Sequence, residues 1–412
     1  MVNINKTFIR ITLPLAGSNA LTQVARTIMS TVGPVIAVQY GLSAGELGLF
    51  SAAMFASYCL AQMPVGIALD RWGPRRVQAV LCLVTASGFA LFALSTSVPG
   101  FVLGRLLTGI GIAAGLIALI KGNSEWFPRN EVAKATGLGM MVGTLGSFLA
   151  TAPAQAALPL IGWHGVIWCC MAASLAVGLW NLLSVRDQNL NKVSRPLRED
   201  VKELFVIIRT PVFRSFAPIA SLLTVLNFSY LGLWAGPWLR DVAHFGAQAR
   251  ANVLLLYTVA LLISAPLAGN WVSAAQRRNR HAMLVPAICT VGVVVVQIIL
   301  ACQPVHAPVI IILWFAFALF SGSGSAAYSA VTSYFPATHA GRVSTAINTF
   351  SLAGVFVLQI IIGQFVDLWP RNATGGWSPY GYSLGLALTI TLQIAALAYA
   401  WIRRNQVSHA VD

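Results

Sequence analysis

Apolar stretches of about twenty residues follow one another through this chain, and that recurrence constrains its fold more than any other feature. Twelve can be delimited: 11–40, 45–69, 77–97, 101–126, 134–159, 165–185, 212–239, 249–273, 282–302, 307–334, 342–368 and 380–402. A helix needs about 20 apolar residues to cross the hydrocarbon core of a bilayer. Within that core each backbone N–H and C=O must be bonded inside its own segment, which selects helices for spans of this length. The expected fold is an all-α membrane protein with twelve transmembrane helices. Composition excludes the soluble alternative. Hydrophobic residues make up 57% of the chain and charged residues 9%, against about 25% charged in a soluble domain. The six cysteines (Cys59, Cys82, Cys169, Cys170, Cys289, Cys302) lie in or beside apolar stretches without metal-ligand spacing, so reduced thiols, no metal and no cofactor are expected. "MVNINKTFIR" runs into the first stretch with no small-residue cleavage site, so no cleavable signal is expected.

The longest polar stretch, "VRDQNLNKVSRPLREDVKELFVIIRTP", separates the sixth span from the seventh. It reads as a cytoplasmic linker, partly an amphipathic helix at the membrane surface. The expected organisation is a six-helix bundle at 1–185, a linker at 186–211 and a second six-helix bundle at 212–412. The net charge of +15 follows the same topology. With both termini cytoplasmic, twenty of the 26 Lys and Arg face inward; Arg240, Arg250 and Arg371 face outward, and Arg26, Arg105 and Lys121 lie within spans. That asymmetry orients the chain by the positive-inside rule, in a bacterial inner membrane. It also disposes of nucleic acid as a partner, because the charge is spread over loops on one side. The partners expected are the lipid bilayer and a small-molecule substrate, with the chain acting as a monomer. The two halves echo each other: "SEWFPRNEVAKATG" is matched by "TSYFPATHAGRVST", and "AQMPVGIALDRWGPRR" by "LISAPLAGNWVSAAQRR". Two six-span repeats are the plan of a secondary transporter.

"GIALDRWGPRRV" resembles the loop between the second and third helices of the major facilitator superfamily, G-x-x-x-D-R-x-G-R-R. Gly66, Asp70, Arg71, Gly73 and Arg75 match; Pro74 replaces the first of the paired arginines and Arg76 adds a cation beyond them. The resemblance implies that this group latches the two halves on the cytoplasmic side, with Gly66 allowing close approach of a neighbouring helix. "GRLLTGIGIAAG" resembles the family's fourth-helix motif, which begins with an arginine, here Arg105. In the fifth span Gly139, Gly143 and Gly146 have small-residue spacing, then Pro153 follows. Without the Gly-Pro ending of drug/proton antiporters, close helix packing explains those glycines.

The first and seventh helices line the substrate cavity in this superfamily. In the first span Asn19, Gln23, Arg26 and Ser30 fall on one helical stripe. Asn227, Tyr230, Trp234 and Trp238 share a face in the seventh, and Ser321, Ser325, Tyr328 and Thr332 in the tenth. Such stripes serve either interhelical hydrogen bonding or substrate contact; the large amphipathic rings Tyr328 and Trp234 suit an organic ligand. No Asp or Glu lies near the centre of any span. An arginine at mid-helix costs about 2.5–3.5 kcal/mol on insertion scales, so Arg26 needs compensation, from carbonyls and Gln23 or from an anionic substrate. The spacing of Arg26 and Pro34 resembles the first helix of the organophosphate:phosphate antiporter branch, where the arginine binds the substrate's anionic group. The branch's second arginine, on the seventh helix, falls here on Ser229. That departure favours a singly charged anion such as a carboxylate, which one arginine grips bidentately. Lys121 is a second candidate cation for the substrate, while Arg105 is left to helix packing or coupling. The expected function is secondary transport of a small organic anion, by proton symport or exchange. The alternative is export of neutral or anionic drug- or siderophore-like compounds. No nucleophile–base pair, phosphate loop or metal set points to an enzyme.

Overall fold

The computed structural model describes residues 4–186, 205–278, 280–336, 339–371 and 376–403; most of the expected linker lies outside them. The described residues are helical, with no strand among them. Ten of their helices are long and apolar enough to cross a membrane. One of these, Ala44–Leu94, has 51 residues, about 76 Å at 1.5 Å per residue, more than twice the hydrocarbon thickness. It holds both the second and third expected spans, which meet at a bend where Gly73 has φ 75° and ψ 164°. That left-handed region is open to glycine at no steric cost. Gly73 is therefore where the chain turns back.

The fifth expected span, 134–159, is interrupted within its length. Its helix Arg129–Leu149 is not among the ten and stops short; Thr151 leaves helical geometry at φ −104°, ψ −104°, and Ala152–Ser184 begins anew. Pro153 is the cause. It has no N–H to offer the Leu149 carbonyl four residues back, and its ring crowds that carbonyl. The second helix turns again at Gly162, φ 66°.

Two compact units are present, Met1–Leu42 with Leu49–Leu197, and Ser43–Gly48 with Arg198–Asp412. Ser43–Gly48 joins the second unit because the Ala44 and Gly45 N–H groups donate to the Asp367 carboxylate at 2.8 and 2.6 Å. In each unit the first and fourth spans are interrupted. The first span breaks at Ile28 between Leu13–Thr27 and Met29–Gln39, and the fourth between Val98–Gly111 and Gly115–Trp126. The seventh passes through a π-helical turn at Tyr230–Trp234, and the tenth breaks between Ala307–Ser321 and Gly324–Thr332. Irregular backbone at membrane depth is tolerated only where it is buried in protein or lines a water-filled cavity. The eighth, ninth, eleventh and twelfth spans run unbroken from Ala247 to Arg277, Leu284 to Ala301, Ala340 to Asp367 and Pro379 to Ile402.

Candidate functional site

The break at Ile28 determines what surrounds Arg26. Ile28 N–H still reaches Val24 C=O, but the next amides bond to Ile28 C=O, from Thr31 and Val32 at 3.1 and 3.0 Å. The carbonyls between are taken up by side chains: Ala25 C=O accepts Arg105 Nη1 at 3.0 Å, and Thr27 C=O accepts Ser30 Oγ at 2.7 Å. Arg26 thus sits just before the break, across which Ile28 itself keeps helical dihedrals, φ −57° and ψ −28°. Its guanidinium, with the residue 9% exposed, donates from Nη2 to the Tyr58 hydroxyl at 2.7 Å. The same guanidinium carbon lies 4.9 Å from the Tyr58 ring centroid. Tyr58 is itself buried, and its contribution is a neutral acceptor and a π-face. Neither cancels a positive charge.

The rest of the first-span stripe divides. Asn19 is buried against the fifth span, where a Cβ on Gly143 would overlap its amide. Gln23 is half-buried one turn before Arg26. Gly139 and Gly146 press on the same helix: a Cβ would meet Thr12 Cγ2 at 3.1 Å in one case and overlap the Ala20 carbonyl oxygen in the other. A side chain at any of the three would crowd what packs there now, Leu119 of the fourth span included at Gly139. At Gly66 no heavy atom of the described residues lies within 4 Å of a Cβ built there.

Lys121 does not meet Arg26. Its Nζ lies 2.5 Å from Asp70 Oδ1 and 4.0 Å from Glu125 Oε1, so it belongs to the charged cluster around the 66–77 motif. Arg75 donates from Nε to the Leu182 carbonyl at 2.7 Å, tying that motif to the sixth span, while Arg71 and Arg76 are exposed. Arg105 is buried on the far side of the Ala25–Arg26 peptide, 1% exposed.

In the second unit Tyr230 and Trp234 occupy the π-helical turn, and both are buried. Tyr230 packs against Trp314 and Phe317 at centroid distances of 5.8 and 5.2 Å. Trp234 packs edge-on to Tyr382, and its Nε1 has no hydrogen-bond partner among the described residues. Asn227 Oδ1 accepts the Tyr257 hydroxyl at 3.2 Å, and the Tyr328 hydroxyl pairs with Ser351 Oγ at 2.8 Å. These four are set in an aromatic and hydroxyl-rich interior.

Two contacts of the first unit's site are not announced as contacts by the sequence. Tyr58 is one aromatic among many in the second span, and the Arg105–Ala25 bond joins a side chain to a backbone atom. The signal for Tyr58 was its hydroxyl within an otherwise apolar window.

A family model described as the Major Facilitator Superfamily matches residues 15–359. A nitrate/nitrite transporter of Picosynechococcus sp. is 36% identical over 112 residues, 27% of this chain and 21% of that protein. A probable L-galactonate transporter of Escherichia coli is 27% identical over 164 residues, 39% of this chain and 36% of that protein. The chain thus spans well under half the length of these relatives. Among solved structures, a bacterial homolog of the human lysosomal transporter Spinster, described as inward-facing and unoccupied, superposes with a TM-score of 0.85 at 17% identity. That superposition covers 100% of this chain and 99% of the other.

Proposed function

The chain belongs to the Major Facilitator Superfamily, and from that premise we propose that it carries a small organic anion across a bacterial inner membrane by alternating access. A multi-pass membrane transporter needs a site near mid-membrane that recognises its cargo and two bundles that move about it. Arg26 carries the reading. It is a buried guanidinium at a helix break, held in place by a neutral phenol, in a span whose sequence contains no acid. A carboxylate entering that site receives two parallel N–H donors and returns the charge the membrane interior otherwise penalises. Gln23, half-buried one turn before Arg26 on the same helix, is the residue we assign to hydrogen-bond the same group. The relatives' names, which specify nitrate, nitrite and L-galactonate for those proteins, support an anion. With no acid near mid-span, transport runs by exchange or with a proton carried on the substrate's own carboxyl group. Lys121, Asp70, Glu125 and the 71–76 arginines serve gating, with both termini cytoplasmic.

The test is ligand-induced thermal stabilisation of the purified protein, with nitrate, L-galactonate, benzoate and a small sulfonate as probes. Solid-supported-membrane currents at two pH values accompany it. At least one anion should raise the melting temperature of the wild type. Arg26→Gln should remove that shift while the protein still folds, at a loss of about 2–5 kcal/mol for a broken buried charge pair. Arg26→Lys should recover part of it, because an ammonium keeps the charge but loses the planar fork. An Arg26→Gln protein that binds the same anion with unaltered affinity sinks the proposal.

A further inference from the structure

Arg105 is a costly residue for the work it visibly does. It is 1% exposed, makes one hydrogen bond to a neutral carbonyl, and leaves Nε and Nη2 without partners among the described residues. A buried guanidinium so poorly compensated destabilises relative to an apolar side chain of similar volume, and each unmet N–H adds its own desolvation penalty. Stability therefore does not account for an arginine here. Its one bond does.

The Ala25 carbonyl belongs to the peptide unit that joins Ala25 to Arg26. In an unbroken helix that oxygen would accept the Met29 N–H, four residues on. Here the helix ends at Thr27 and restarts at Met29, and the oxygen accepts Arg105 Nη1 instead. Holding that oxygen keeps the break open and fixes the plane from which the Arg26 side chain departs. Tyr58 then holds the other end of the same side chain. The fourth span is seated for this by close backbone approaches on both sides of Arg105. A Cβ on Gly104 would crowd Phe92, and one on Gly109 would overlap the Met54 carbonyl.

We propose that Arg105 is a positioning residue for anion recognition: by holding the Ala25 carbonyl it maintains the first-span break and so aims the Arg26 guanidinium. This rests on the reading of Arg26 as the anion anchor. Its consequence is an uncoupling of stability from affinity. Without Arg105 the Met29 N–H is free to close onto Ala25 C=O, so no orphaned carbonyl remains and a buried charge is gone. The protein becomes as stable as before or more so, with Arg26 displaced.

The experiment compares wild type, Arg105→Met, Arg105→Lys and Arg26→Gln, using whichever probe anion stabilises the wild type. Melting temperature, apparent Kd from the thermal shift, and KM for uptake into proteoliposomes are measured for each. Arg105→Met should melt at or above the wild-type temperature while Kd and KM rise about tenfold to a hundredfold, the scale of loss from displacing a binding group by about 1 Å. Arg105→Lys, which keeps a donor within reach of the same carbonyl, should restore most of that affinity. An Arg105→Met protein with wild-type Kd and KM overturns the inference, as does a Lys variant no better than Met. Should Arg105→Met fail to fold, Arg105→Gln takes its place in the comparison with Lys. If Arg26→Gln keeps wild-type affinity, the anchor reading itself falls; if it loses affinity while Arg105→Met does not, only the role of Arg105 falls.

Discussion

Replacing two glycines by alanine should move stability in opposite directions, although both sit inside helices and both belong to small-residue patterns. A Cβ at Gly146 would overlap the Ala20 carbonyl oxygen of the first span, a backbone atom that cannot swing aside. Overpacking of that kind costs about 1–3 kcal/mol, and alanine's better helix propensity returns about 1 kcal/mol. Where the helices part enough to relieve the overlap, the packing they lose adds to the cost, so Gly146→Ala should be destabilising by about 1–2 kcal/mol. At Gly66 a Cβ would meet no atom of the described residues within 4 Å. There the propensity term acts alone, and Gly66→Ala should stabilise by about 0.5–1 kcal/mol. The assay is thermal unfolding of the purified protein in one detergent, with transport of the reconstituted variants alongside. Gly66→Ala should melt higher than wild type and still transport, and Gly146→Ala should melt lower. A Gly66→Ala protein that melts below wild type would refute the packing argument. One that melts higher but no longer transports would show that Gly66 is needed for a close approach at another stage of the cycle, as its place in the 66–77 motif implies.

Two further perturbations probe the charged and polar contacts. The Lys121–Asp70 pair is short, but the Asp70 side chain is 56% exposed, so solvent screening holds its stabilising contribution to about 0–1 kcal/mol. A double-mutant cycle of Asp70→Asn and Lys121→Met should show coupling of that size in unfolding together with a much larger loss of transport rate; wild-type transport by Asp70→Asn would remove the pair from gating. Tyr58→Phe keeps a ring beneath Arg26 and removes the acceptor of its hydrogen bond. Losing a bond of this charge-assisted kind should weaken anion binding about tenfold, and an unchanged thermal-shift Kd would show that Arg26 does not depend on the phenol.

Much of the fold was legible because the bilayer imposes one rule on every crossing: enough apolar residues, with their backbone bonded internally. That rule sees length and composition. It does not see where a helix stops inside an apolar run. Hence 134–159 read as a single span although Pro153 cannot serve the Leu149 carbonyl, and the interruptions at Ile28, Ile112–Ala114, Tyr230–Trp234 and Gly322–Ser323 went unmarked. Apolar residues accompany the breaks as readily as they accompany helix, so hydropathy passes over them.

The site was legible to the same limited depth. Arg26 stood out because a charge in an apolar segment has a cost that composition exposes at once. Its supports did not, and the reason is physical. Tyr58 lies 32 residues away on another span, where a tyrosine needs no special excuse. Arg105 acts on a backbone oxygen, and a backbone oxygen is present at every position, so no residue type on the first span could advertise the bond. Lys121 illustrates the converse. As an isolated cation within a span it was indistinguishable from a substrate ligand, and only the packing of the fourth span beside the second, which brings it to Asp70 across 51 residues of chain, supplies the partner. A buried charge read from sequence therefore announces a demand for compensation without saying what meets it. For Lys121 the chain itself provides a carboxylate. For Arg26 the phenol and ring of Tyr58 are neutral contacts, and on the reading proposed above a substrate carboxylate answers the demand.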